Sequence, residues 1–163
     1  MSDTKDNDEV LARVTASIGR RALGIGMLIA LAFMVIYVAI VSPPSLGWQI
    51  FLIAIGTGAL MVANTMRVST QRTLELTRST LRDDTGTVLA DVGDIRSIDR
   101  GAFAFKPSNG FVLRLHRAYG RDWRPGLWWR LPRRVGVGGM TPMRETKYMA
   151  EVIALLIAER EGN

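Results

Sequence analysis

Apolar positions along the chain change their pattern twice. Residues 22–41 ("ALGIGMLIALAFMVIYVAIV") and 48–66 ("WQIFLIAIGTGALMVANTM") carry no charge at any position. At a rise of about 1.5 Å per residue each run spans roughly 30 Å, the hydrocarbon thickness of a bilayer. A buried helix of a soluble protein normally keeps a polar stripe, and neither run has one. Both are therefore predicted to cross a membrane. The first is too long for the apolar core of a secretory signal and has no small-x-small cleavage site after it, so it is expected to be retained. Only "SPPSLG", residues 42–47, separates the two runs, which makes them an antiparallel hairpin whose prolines and glycine turn the chain.

Beyond Arg67 the period shortens to two. "TLELT" puts Leu74 and Leu76 on one side, "AFAF" does the same for Phe103 and Phe105, and "GFVLRLH" separates Phe111, Leu113 and Leu115 from Val112, Arg114 and His116. These are the marks of half-buried strands. "KPSNG" (106–110) and "DDTG" (83–86) have hairpin-loop composition. "LWWRL" and "RVGVG" predict later strands, with Pro132 at an edge, a bend or a break. In residues 142–160 the period lengthens again: Met149, Val152, Ile153 and Leu156 form the stripe of an amphipathic helix, with Thr141 as its expected cap and Pro142 in its first turn. The predicted fold class is a membrane α-helical hairpin followed by an α+β domain. Residues 1–21 form a cytoplasmic segment, 22–66 the hairpin, and 67–163 the domain.

Charge orients this arrangement. The turn has no Lys or Arg, whereas Arg13, Arg20 and Arg21 precede the first span and Arg67, Arg72, Arg78 and Arg82 follow the second. Both termini are thus expected in the cytoplasm, with Trp48 at the far interface. The net charge of +6 lies wholly after the second span, where 17 basic residues face 11 acidic ones. Small residues recur every fourth position, at Ala22, Gly26 and Ala30, at Ala54 and Gly58, and at Ala59 and Ala63. Such spacing lets helices approach closely, either each other or a partner's helices. Asn64 could add an interhelical hydrogen bond.

The order of elements resembles that of bacterial pleckstrin-homology-like small inner-membrane proteins. The residues that carry the resemblance are "LELTRSTLR" as a first strand leaving the membrane, "VGDIRSIDR" (92–100) with an I-x-x-I core pattern, the "NGFVLRL" strand, and the last helix. The resemblance implies a bent antiparallel barrel or sandwich plugged by that helix. It also implies a binding or scaffolding role in the bacterial plasma membrane, and it supplies no catalytic residues.

Candidate chemistry is sparse. With no cysteine, disulfides and thiolate chemistry are excluded. His116 is the lone histidine and is placed on the solvent side of its strand. Asp83, Asp84, Asp91, Asp94 and Asp99 fall in turns and at strand ends, where Asp bonds its own backbone, and they lack calcium-loop spacing. "GVGG" (136–139) lacks the Lys-Ser/Thr of a P-loop and the context of a dinucleotide site, so a bend is expected there. No catalytic residue, metal or cofactor is expected. What remains is a strip of arginine and tryptophan: Arg114, Arg117, Arg121, Arg124, Trp128, Trp129, Arg130, Arg133 and Arg134, with Trp123. Its chemistry suits nucleic acid. Tethered beside an anionic leaflet, however, the domain meets lipid headgroups first, each basic residue contributing about 1 kcal/mol near that surface. The expected partners are anionic lipid or a protein at the membrane face rather than nucleic acid or a small-molecule substrate. One of Trp128 and Trp129 should be buried, and the arginines should lie on the outer face.

Overall fold

The computed structural model describes residues 9–42, 45–99 and 107–162. The apolar runs form helices α1 (Ile18–Val41) and α2 (Leu46–Ser69), each of 24 residues. Both are long and apolar enough to cross a membrane, and only 11% of each apolar window is buried. A soluble core helix would be mostly covered. Here Leu23, Met27, Phe33, Ile50 and Phe51 are exposed, an apolar surface that water does not tolerate at this extent.

The two helices meet along Ala32, Ala39, Gly56 and Ala63, all buried. A Cβ at Gly56 would overlap the Ile36 side chain, so this glycine permits the close approach. At the turn end, Gln49 Nε2 donates to the Ala39 carbonyl at 3.0 Å. The small-residue faces read from the sequence mostly lie elsewhere. Ala22, Gly26, Ala30 and Ala54 are exposed, Gly58 has no atom within 4 Å of a would-be Cβ, and only Ala63 of these residues is buried. The contact stripe passes through residues seven apart, 32 and 39 against 56 and 63, which leaves the other small residues facing outward. Asn64 is also exposed.

Before α1 the chain forms a strand that its sequence does not announce. β1 (Ala12–Thr15) pairs antiparallel with β2 (Thr73–Leu76), from Ala12 opposite Leu76 to Thr15 opposite Thr73. Val14 and Ala12 turn inward, and exposed Arg13 meets Glu75 at 3.2 Å. The hairpin is therefore an insertion between two neighbouring strands, and the segment before it shares a sheet with the domain after it. Both lie on the same side of whatever the hairpin enters.

β3 (Thr80–Asp83) and β4 (Val88–Asp91) complete a four-stranded sheet in the order β1-β2-β3-β4. "LELTRSTLR" is thus two strands rather than one. The buried Thr77 hydroxyl accepts from the backbone N–H groups of Ser79 and Thr80 and folds the chain back between them. A 3₁₀ turn at Val92–Asp94 leads to a second sheet ordered β5 (Ile95–Asp99), β6 (Phe111–Leu115), β9 (Arg134–Val137), β8 (Trp128–Leu131), β7 (Asp122–Arg124). Both sheets and α3 (Met143–Glu161) share one core, built on Leu74, Leu81, Leu113, Trp128, Val135, Met149 and Ile153. The strand ladders stop at four and five strands, so the domain is two antiparallel sheets with a helix rather than a closed barrel.

Pro132 lies in the turn between β8 and β9, where no ladder donor is needed. The "AFAF" strand and Lys106 lie outside the described residues. α3 begins one residue later than expected. Pro142 is its cap, and the Thr141 hydroxyl is buried without a partner instead of capping the helix. In place of a cap, the first-turn carboxylate of Glu145 reaches back to β1, accepting from Thr15 N at 2.8 Å and from its hydroxyl at 3.2 Å.

Candidate functional site

The base of the hairpin and one end of the domain are built together. Ser17 N donates to the Met140 carbonyl at 2.8 Å, and Arg21 reaches the Thr70 carbonyl at 3.5 Å. Gly126, in the β7–β8 turn, sits where a Cβ would come within 2.9 Å of Thr70 and 3.2 Å of Met66; with φ +84 it also holds a backbone shape suited to glycine. β7 itself touches α2. The glycines at 136–139 belong to this construction. Gly138 and Gly139 have φ of +141 and +118, and Gly139 N donates to the Ser108 carbonyl at 2.8 Å. A Cβ at Gly136 would overlap the Trp129 indole. The cluster is the bend its composition suggested and, as the structure adds, a seat for an aromatic ring.

Register sorts the arginine and tryptophan strip into two faces. Phe111, Val137, Trp128 and Arg124 share one row, and Leu113, Val135, Arg130 and Asp122 share the next. These rows face the core, so Trp128 is 1% exposed. The outer rows run Val112, Gly136, Trp129, Trp123 and then Arg114, Arg134, Leu131. The expectation of one buried and one surface tryptophan holds, with Trp129 half-buried over Gly136. Trp123, opposite Trp129 on the edge strand, is 60% exposed.

Arg130 does not lie on the outer face. Its guanidinium is turned inward at the edge, where Nε donates to the Gly120 carbonyl at 2.7 Å and Nη1 to the Val88 carbonyl at 2.6 Å. It lies 5.8 Å from the Tyr119 ring centroid and 5.9 Å from that of Trp128. Arg130 thus clamps β8 to β4 of the other sheet and is committed to structure. Arg117 also approaches Tyr119, at 5.6 Å, and Arg124 is 3.8 Å from Asp122.

The remaining basic residues occupy opposite ends. Trp123 and Trp129 stand toward the hairpin base, and with Arg121, Asp122, Arg130 and Leu131 they border an open groove of about 610 Å³. Arg114, Arg133 and Arg134 lie at the far end of their strands and, with Arg96 and His116, surround a separate concavity of about 240 Å³. β8 carries the chain about 10 Å from Trp128 to Leu131, so the arginine concavity lies at the opposite end of the sheet from the hairpin base.

The aspartates serve turns and ion pairs. Asp83 Oδ1 accepts from Thr85 N, the Thr85 hydroxyl and Thr87 N, the turn-forming pattern expected of it. Asp84 faces Arg72 at 3.9 Å, and Asp99 faces Arg114 at 3.0 Å. Asp91 and Asp94 both hold the Tyr119 hydroxyl, at 2.8 and 2.7 Å. Burial first, then the bond to Asp94, pushes the ionisation of this phenol well above its usual range. Among the described residues no group of three or more potential metal ligands converges.

These features define a class: an apolar helical hairpin inserted beside the edge strand of a two-sheet α+β domain that carries exposed tryptophan at its base and arginine at its tip. No family model, curated protein or solved structure matches the chain.

Proposed function

We propose that the chain is a non-enzymatic integral membrane protein of the bacterial plasma membrane, with both termini in the cytoplasm. Its hairpin holds a pleckstrin-homology-like domain whose Trp123–Trp129 groove binds the anionic inner leaflet. The observation that carries this reading is Trp123, 60% exposed on an edge strand that touches the base of α2. Tryptophan favours that interfacial depth, where its ring is half in hydrocarbon and its N–H is wet. Arg121 and Arg124 flank it with charge suited to headgroups.

The test uses the full chain in nanodiscs, with Trp48 replaced by Phe to silence the other interfacial tryptophan. Lipids brominated near the headgroup should quench emission more strongly when anionic lipid is present. Trp123→Phe should remove most of that difference, the half-buried Trp129 accounting for the rest. Equal quenching with and without anionic lipid, or no effect of Trp123→Phe, refutes lipid docking.

A second reading has its own support. Ala22, Gly26 and Ala30 face outward from the hairpin, and so does Gly58, leaving room for another helix's backbone. In that reading the protein is an accessory or assembly subunit held to a larger membrane complex through its helices. A stoichiometric partner that survives mild detergent and is lost on Gly26→Leu with Gly58→Leu would favour it.

A further inference from the structure

The far end of the second sheet gathers positive charge in a way that stability alone does not explain. Arg114 and Arg134 are direct partners across the β6–β9 pair. Like charges placed directly opposite destabilise a sheet. Arg96 joins them because the β5–β6 register shifts between Ile95 and Ser97, a bulge that re-aims the extra residue's side chain. Arg133 comes from the turn that Pro132 opens, and His116 from the end of β6. Four guanidinium groups and an imidazole therefore border one concavity. A single carboxylate among the described residues, Asp99 at 3.0 Å from Arg114, answers them.

We infer that this concavity is an anion site for a ligand carrying two or more neighbouring phosphate groups, taken from the aqueous phase. Guanidinium is the side chain suited to phosphate, because its planar fork donates two parallel hydrogen bonds to two oxygens. Several forks arriving from a bulge, two strands and a turn match a polyanion better than a single charge. The concavity of about 240 Å³ leaves room beside the guanidinium groups for a ligand larger than one tetrahedral oxyanion. It lies at the end of β8 away from the hairpin base, about 10 Å along that strand from Trp128, and so faces the aqueous side of the domain. The inference is independent of lipid docking at Trp123, since the two surfaces share none of these residues.

The probe is tripolyphosphate, added to the full chain in neutral detergent, with thermal midpoint and calorimetric affinity as readouts. Tripolyphosphate should raise the midpoint and bind far more tightly than sulfate. Arg134→Gln and Arg96→Gln should each weaken binding by about tenfold, the value of one charge-assisted hydrogen bond. Without ligand, Arg134→Gln should raise the midpoint, because it relieves the repulsion from Arg114; a merely structural arginine would lower it. Arg144→Gln, exposed on α3, should change nothing.

Tripolyphosphate binding no tighter than sulfate, or insensitive to Arg96→Gln and Arg134→Gln, overturns the inference. So does tighter binding of polyglutamate, which would make the site one for an acidic protein segment. Binding seen only with anionic lipid in nanodiscs, and not with free tripolyphosphate, would assign the arginines to headgroups and also overturn it.

Discussion

Val14 tests the least expected feature of the architecture, the strand contributed from before the hairpin. Its side chain is fully buried, opposite Leu74. Val14→Ala removes two methyl groups, about 1.6 kcal/mol at ~0.8 kcal/mol each. The residual cavity brings the total to about 2 kcal/mol, or ~3 if the site does not collapse. The neighbouring substitution Arg13→Ala removes one arm of a surface ion pair with Glu75 and should cost within about 0.5 kcal/mol. Val14→Asp would bury an unpaired carboxylate and should leave the domain unfolded. The assay is urea unfolding of the full chain in mild detergent, followed by the emission of the domain's tryptophans Trp123, Trp128 and Trp129 in a Trp48→Phe background. A loss of about 2 kcal/mol is a large fraction of the roughly 5–15 kcal/mol typical of a domain, so the midpoint shift is easy to resolve. Equal midpoints for Val14→Ala and Arg13→Ala would show that residues 12–15 are a tail and would refute the inserted-hairpin arrangement. A fragment beginning at Arg67 should for the same reason fold poorly, because β2 would lose its whole outer ladder.

Other substitutions probe single contacts. Gly136→Val should expel the Trp129 indole from its seat, shifting tryptophan emission to the red and lowering stability by about 1–3 kcal/mol as overpacking does. Thr141→Val replaces a buried hydroxyl that has no partner, so it should raise the unfolding midpoint, by up to about 1 kcal/mol in stability. Tyr119 retains its proton in the folded state to higher pH than in the unfolded chain. The unfolded state therefore binds fewer protons above about pH 10, and stability should fall as pH rises beyond that point. Tyr119→Phe should flatten the alkaline limb of a midpoint-against-pH curve. An unchanged limb would show that Asp91 and Asp94 do not hold the phenol as described. Arg130→Met should destabilise the domain through its freed Gly120 and Val88 carbonyls, whereas Arg133→Met, exposed at the turn, should leave the midpoint of the unliganded protein within about 0.5 kcal/mol or raise it.

Much of the fold is legible in local patterning. Twenty uncharged positions predict a helix long enough to cross a bilayer, and alternation in "TLELT" and "FVLRL" places Leu74, Leu76 and Leu113 in a core without reference to any partner strand. The stripe of Met149 and Ile153 likewise marks the buried face of α3, and aspartate and glycine announce the turn at Asp83 to Gly86. Four-residue β1 is too short to show a period, and its partner lies 58 or more residues away across the hairpin, so nothing local distinguishes it from a tail. Arg130 was indistinguishable in composition from its neighbours.

Composition and periodicity alone thus determined the hairpin, the α+β character of the domain beyond it, and the presence of an arginine and tryptophan strip, because these depend on nearest neighbours and on the solvent. Tertiary pairing decided which of those side chains face outward, which small residues join α1 to α2, and which arginines meet. The reason is geometric: strand register is set between distant segments, and a shift of one residue exchanges the inner and outer faces. Arg114 and Arg134 stand together only because β6 and β9 pair in that one register.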